Sequence, residues 1–279
     1  MKLKFLGALL LPFCVLFIFN TAWAAKGDIY IVEVADAISP GIAEFIKNSI
    51  EKAEAEEAAC IIIELDTPGG LAESMRLIIQ DILGSQVPVV VYVSPAGARA
   101  ASAGVMITMA ADIAAMAPST NIGAAHPVGA GGKDISGKMS EKVINDMVAH
   151  AKSVAEERGR NKEWVEQAIR ESVSVTETEA LKENIIDLIA KDTDDLIQQL
   201  KGRKIKGKGV ITLVTAEKVI VKPSLRTKIL KTISKPNIAY ILLMIGFAGL
   251  YFVLSHPGAI FPGVIGGIAL VLAFFALQT

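Results

Sequence analysis

Two short stretches of this 279-residue sequence carry groups able to act on a carbonyl. Asp66-Thr67-Pro68-Gly69-Gly70 follows the apolar run Cys60 to Leu65 and precedes a segment with helical spacing. Ligands of open α/β sheets bind at the carboxyl ends of strands. Two glycines there, at a helix N-terminus, expose backbone N–H groups suited to an oxyanion, although an ordinary strand-to-helix turn has the same composition. The second stretch is Ala100-Ala101-Ser102-Ala103-Gly104, also at a strand-to-helix transition. Small neighbours would let a substrate reach the Ser102 hydroxyl; a serine so placed equally serves to cap or pack a helix. The two stretches lie one strand apart, and neighbouring parallel strands bring their carboxyl ends together.

The elements that must position these residues follow from hydropathic periodicity. Ile29 to Val34 reads as a strand, and Ser39-Pro40 opens an amphipathic helix through about Glu57. Cys60 to Leu65 is a fully apolar strand, Leu71 to Leu83 a helix, and Val87 to Val93 a strand introduced by Pro88. Continuous apolar strands alternating with helices predict a parallel α/β sheet covered on both faces. A small-residue helix runs to Ala111, followed by a short strand Ile113 to Met116. Gly129 to Gly137 is a polar, glycine-rich loop; Glu141 to Glu157 is helical, and a second helix follows Asn161. Thr176 to Glu179 forms a capping box, Ile185 to Ile189 is strand-like, and Val210 to Val221 suggests a β-hairpin around Ala216-Glu217.

The ends differ from the middle. Lys2 and Lys4, an apolar run Phe5 to Phe19 and the small residues of Ala22-Trp23-Ala24 have the layout of a secretory signal, with cleavage expected after Ala24. Asn237 to Leu254 and Ala259 to Leu277 are apolar and uncharged, separated by Ser255-His256-Pro257-Gly258, and predict a transmembrane helical hairpin over 236–279. Gly263 and Gly267 are spaced to let another helix approach closely. The expected organisation is a signal peptide over 1–24, an α/β domain over 25–200, a basic stalk with a β-hairpin over 201–235 and the membrane hairpin. The stalk is rich in Lys and Arg, which by the positive-inside rule favours the cytoplasm; the export signal instead places the domain on the extracytoplasmic, periplasmic side, with the stalk against anionic lipid headgroups. A net charge of −1 gives no nucleic-acid footprint. Only three histidines and two cysteines are present, without metal-ligand spacing, and Cys60 alone would remain in a mature chain.

The sequence resembles the NfeD-type membrane-bound serine peptidases, relatives of ClpP and signal peptide peptidase A within the crotonase-like fold. The likeness rests on Asp66 to Gly70, Pro95 to Ala98 with Ala100 to Gly104, Ile122 to Pro127, Glu157 to Asn161, and Pro257 to Gln278, and covers nearly the whole chain. It implies a ClpP/crotonase-like parallel-sheet domain and a Ser-Lys dyad: Ser102 as nucleophile and Lys142 as base. The oxyanion hole is then formed by the N–H groups of Gly70 and Ala103, with Gly69 supporting the turn. No metal or organic cofactor is needed. A lysine accepts a proton only when neutral, so it must be desolvated, and Val143, Ile144 and Met147 are the apolar neighbours available. By residue type alone Lys142 is a solvated surface group. Lys133 and Lys138 are rival lysines in the polar loop. His126 is the rival base, as far beyond Ser102 as the histidine of a ClpP-type triad, or else a loop residue beside Pro127.

The resemblance also implies hydrophobic, membrane-proximal peptide substrates, such as the end of a stomatin-like partner, and a homodimer or higher assembly. The chain ends at Thr279 without the further spans and C-terminal OB-like domain of longer members, so it reads as a short form. A non-catalytic scaffold for a stomatin-like protein, and a Ser102-His126 peptidase, are the competing readings. Acyl-CoA chemistry would use the same fold and Gly-Gly turn, but an exported domain does not meet a cytoplasmic coenzyme.

Overall fold

In the computed structural model, which describes residues 27–129, 137–213, 216–233, 236–256 and 260–278, the elements alternate as the hydropathy dictates. The first are β1 (Ile29–Ala35), α1 (Pro40–Ala55), β2 (Cys60–Asp66), α2 (Ala72–Gly84), β3 (Val89–Val93), β4 (Arg99–Ala101), α3 (Ala103–Ala110), β5 (Ile113–Met116) and β6 (Asn121–Gly123). There follow α4 (Lys138–Glu157), α5 (Lys162–Arg170), β7 (Ser174–Thr176), α6 (Glu177–Lys182), β8 (Leu188–Ile189) and α7 (Thr193–Leu200). The last are β9 (Lys204–Ile205), β10 (Gly209–Val210), β11 (Lys218–Val221), α8 (Leu225–Ile233), α9 (Pro236–Ser255) and α10 (Ile260–Gln278). The expected signal peptide lies outside the described residues.

The main sheet is parallel throughout, in the order β11-β1-β2-β3-β5-β8. From β1 to β5 every step moves to the next position in the same direction, and right-handed crossovers stepping one way place their helices on one face. That face packs the row Val32, Ile63, Val91 and Ala114, which are register partners, against the helices. The alternate row, Ile31, Ile62, Val90 and Ile113, points to the other face, where Leu196 and Leu200 of α7 and Ile205 of β9 cover it. Both rows are buried, which is why the strands read as continuous apolar runs.

Two features depart from the sequence reading. The expected hairpin over Val210 to Val221 is replaced by two separate pairings. The antiparallel hairpin is β9-β10, while β11 lies parallel to β1 as the edge strand, with Ile29 opposite Lys218. Alternating β-branched residues fit either geometry, and only the distant partner β1 decides between them. The expected stalk is therefore joined to the parallel-sheet domain, and α8 packs against α1 through the buried Thr227. A second, three-stranded sheet, β4-β6-β7, also forms at the carboxyl edge of the main sheet.

At the C-terminus α9 and α10 pack side by side. A Cβ on Gly249 would lie 2.7 Å from the Gly266 Cα, so the backbones touch there. Gly263 faces Val253 of the same chain, whereas Gly267 faces open space, so the Gly263-Gly267 pair does not form one contact face. Asn237–Ser255 is long and apolar enough to cross a membrane; the apolar stretch Ile260–Ala276 is shorter.

All eight residues of α3 are buried, so the carbonyls ending this helix must find partners inside the protein. Arg160 Nη1 donates to Met109 O (2.8 Å) and Ala111 O (2.7 Å), and Arg158 Nε donates to Ala110 O (2.8 Å). The guanidinium of Arg160 also pairs with Asp187 at 2.5 Å, and Asp187 accepts the Ala114 N–H (2.6 Å). Cations at a helix C-terminus oppose the dipole, and here they also fix α3 to β5. Replacing Arg160 by Leu is expected to lower the unfolding free energy by about 3 kcal/mol, with Lys recovering only part because it cannot fork. Chemical denaturation of the three proteins measures this.

Candidate active site

Ser102 links β4 to α3 with φ 52° and ψ −113°. Left-handed φ is costly for a residue with a Cβ, by about 1–3 kcal/mol in so sparsely populated a region. The residue is held there from both sides. Its own N–H donates to Gly123 O (3.2 Å), the Ala101 N–H donates to Thr67 O (3.1 Å), and the Thr67 N–H donates to Arg99 O (2.8 Å). The strain serves no cap: Ser102 accepts no helix-capping hydrogen bond, and its hydroxyl has no partner among the described residues. A serine on a sharp, strained strand-to-helix turn, with its Oγ presented above the sheet, is the geometry of a nucleophile elbow.

The glycine turn is built against it. Gly69 has φ +114°, and a Cβ added there would fall 2.6 Å from the Ser102 Cβ. A Cβ on Gly70 would run into Ile38 O. The buried Thr67 locks the turn, since its Oγ1 accepts the Gly69 N–H and donates to Gly69 O, both at 3.1 Å. Ile38 N–H donates to the same carbonyl (2.8 Å). Gly69 therefore has no N–H to offer an oxyanion. The N–H groups of Gly70 and Ala103 have no acceptor among the described residues. Thr67 and Gly123 are the supporting residues that sequence reasoning did not single out; both lie inside the quoted motifs, but their roles depend on contacts between segments.

Neither base is hydrogen-bonded to Ser102. Lys142 is exposed. The buried residues of α4 are Met147, Val148, Ala151, Val154 and Ala155. At about 100° per residue, Lys142 lies opposite that stripe. The expectation that Val143, Ile144 and Met147 desolvate it is thus corrected: Met147 points into the core and the other two flank it, away from the lysine. Lys138 is exposed at the start of α4, and Lys133 lies outside the described residues. His126 is half-buried, with Nδ1 2.9 Å from Ile169 O in the last turn of α5. Donation to that carbonyl fits a helix C-cap and leaves Nε2 as the ring's acceptor.

Leu71, Val128 and Met139 are large apolar side chains left exposed on the segments that carry Gly70, His126 and Lys142. An open cleft of about 350 Å³ beside the turn is lined by Asp66, Pro68, Gly97 and Arg99. Among the described residues no cluster of His, Cys, Asp and Glu is arranged to hold a metal ion.

The strain at Ser102 is directly testable. Ser102→Gly should raise the unfolding free energy by about 1 kcal/mol, the relief of left-handed strain less the entropic cost of glycine, whereas Ser102→Ala should leave it nearly unchanged. Gly69→Ala should displace Ser102 and lower its labelling by a fluorophosphonate about 100-fold in a chain that still folds. Denaturation curves and labelling rates check the two expectations.

Comparison with known proteins places this geometry in a family. Residues 28–200 match the family described as NfeD1b, N-terminal domain, and residues 237–279 match the NfeD integral membrane domain. The membrane-bound protease PH1510 of Pyrococcus horikoshii is 37% identical over 273 residues, which is 95% of this chain and 62% of that protein, so the chain spans about three-fifths of the relative's length. A solved 1510-N membrane-bound stomatin-specific protease, a serine-to-alanine mutant, superposes with a TM-score of 0.67 at 36% identity, covering 72% of this chain and 100% of that one. A lysine-to-alanine mutant of the same protease, in complex with a substrate peptide, gives 0.69 at 36% identity over 75% and 98%. The parallel-sheet domain and the apolar C-terminal helices are thus those of a membrane protein, and the chain belongs to the NfeD family.

Proposed function

We propose that this chain is a membrane-anchored serine endopeptidase with a Ser-Lys dyad. Ser102 Oγ attacks the peptide carbonyl while Lys142 takes its proton. The N–H groups of Gly70 and Ala103 hold the oxyanion, and the same lysine returns the proton to the leaving amine. Water then releases the acyl group from Ser102. This chemistry calls for no metal or cofactor. The observation that carries the reading is the strained backbone of Ser102 beside a glycine turn, a cost that local packing does not require. The choice of Lys142 is supported by the solved relatives, whose substituted residues are a serine and a lysine.

The substrates are hydrophobic, membrane-proximal segments, including one on a stomatin-like partner. The exposed Leu71, Val128 and Met139 offer apolar contact to such a peptide, and the similar 1510-N protease is described as stomatin-specific. Lys142 becomes a base when a bound peptide and a second protomer cover it, so the working form is a homodimer or larger. α9 and α10 both cross the bilayer, with the catalytic domain on the extracytoplasmic side, and the basic segment after β10 contacts lipid.

Cleavage of hydrophobic peptides by the purified full chain tests the reading. Ser102→Ala and Lys142→Ala are each expected to lose at least about 10³-fold in rate, with His126→Ala staying within about tenfold of wild type. Loss with His126→Ala and survival of Lys142→Ala would move the base to histidine. A wild type inactive on every peptide, including one from a stomatin-like C-terminus, would favour the scaffold.

A further inference from the structure

α8 is where the folded domain meets the membrane segment, and its outer surface is unlike the rest of the domain. Thr227 is buried against α1 while Leu225 and Ile229, one turn apart on the opposite side, are 79% and 57% exposed. Ile220 on the free edge of β11 is 66% exposed. Lys222 and Lys228 stand beside them, exposed and without an ion-pair partner among the described residues. From 218 to 235 the sequence has six Lys or Arg and no Asp or Glu. Apolar side chains flanked by unpaired cations, with no acidic residue among them, match the chemistry of an anionic bilayer surface.

Connectivity selects the bilayer over another protein. α8 ends at Ile233 and α9, the helix long and apolar enough to cross a membrane, begins at Pro236. The intervening residues span no more than about 10 Å even when extended. The end of α8 therefore lies at or beside the headgroup layer, which is about 5–7 Å deep on each side of the hydrocarbon. α8 also contacts both α9 and α10. An upright α8 would carry Leu225 about 12 Å further from the bilayer, into water. A flat one brings Leu225 and Ile229 to the headgroup-acyl boundary and the lysines to lipid phosphates.

We infer that α8 and the free edge of β11 form a docking face for an anionic bilayer. In this arrangement the β11 edge of the sheet lies nearest the membrane and the β8 edge furthest from it. The inference rests on membrane anchoring and not on the peptidase reading, so a catalytically dead chain tests it equally well.

The experiment uses the full chain with Cys14→Ser, carrying Leu225→Cys, Ile229→Cys or the remote exposed control Glu171→Cys, each labelled with an environment-sensitive nitrobenzoxadiazole. Cys60 does not compete, because burial pushes its thiol up to about 12, and its continued silence reports an intact core. In nanodiscs containing phosphatidylglycerol, labels at 225 and 229 are expected to emit to the blue and to be quenched by doxyl lipid, with the control unaffected. The quenching should weaken in pure phosphatidylcholine and in a Lys222→Glu, Lys228→Glu background. Labels as water-exposed as the control would overturn the inference. So would labels shielded from water yet untouched by doxyl lipid, which would mark a protein partner on this face.

Discussion

The backbone of Ser102 is the constraint around which the carboxyl edge of the parallel sheet is organised. A non-glycine residue at φ 52° is sustained only when its surroundings fix it more strongly than the strain releases it. Here the fixing groups come from three separate segments. Thr67 and Gly69 follow β2, Gly123 ends β6, and Arg158 and Arg160 reach the far end of α3 from beyond α4. The short sheet β4-β6-β7 has the same consequence: pairing Ala101 with Gly123 sets the height at which α3 begins. Loosening any of these moves the hydroxyl, so the small residues around the serine and the arginines about one helix length away belong to one mechanical unit.

That unit explains which parts of the site were legible in the sequence. Asp66 to Gly70 and Ala100 to Gly104 could be read because strand-to-helix transitions have a local composition, and a parallel sheet brings neighbouring strand ends together. The main strands were legible for a similar reason, since burial on both faces leaves a continuous apolar run. β4, β6 and β7 were not, at three residues each. So short a strand has no periodicity to detect and exists only because its partners are already in place. β11 fails differently: Val219 to Val221 has strong β character, but its partner is the first strand of the domain, and propensity carries no information about a distant partner.

Glu157 to Asn161 illustrates the gap between a motif and its cause. The resemblance marks the stretch, yet nothing in its composition says that Arg158 and Arg160 donate to the carbonyls ending α3, or that Asn161 caps α5 by accepting the Trp164 N–H (2.9 Å). A buried arginine is costly unless its donors are used. Arg160 meets most of that condition, since Nη1 completes a helix that cannot reach water and Nη2 pairs with Asp187, while its buried Nε has no partner among the described residues. Its role is positional, since it acts at the opposite end of α3 from the Ser102 hydroxyl.

In the proposed mechanism Lys142 poses the harder energetic question. An ordinary lysine, with a pKa of about 10.4, must spend about 4–5 kcal/mol to be neutral at pH 7. In a base that cost has to be met by removing water from the side chain. The single chain offers no such environment, because the apolar residues of α4 face the core and Lys142 faces outward. Desolvation must then come from whatever covers the N-terminal end of α4. In the proposed mechanism a bound peptide and a second protomer would supply it together, so that the proton acceptor would be completed only when the site is both occupied and assembled. A strained but permanent nucleophile combined with a conditional base would keep a peptidase beside a membrane from cutting indiscriminately.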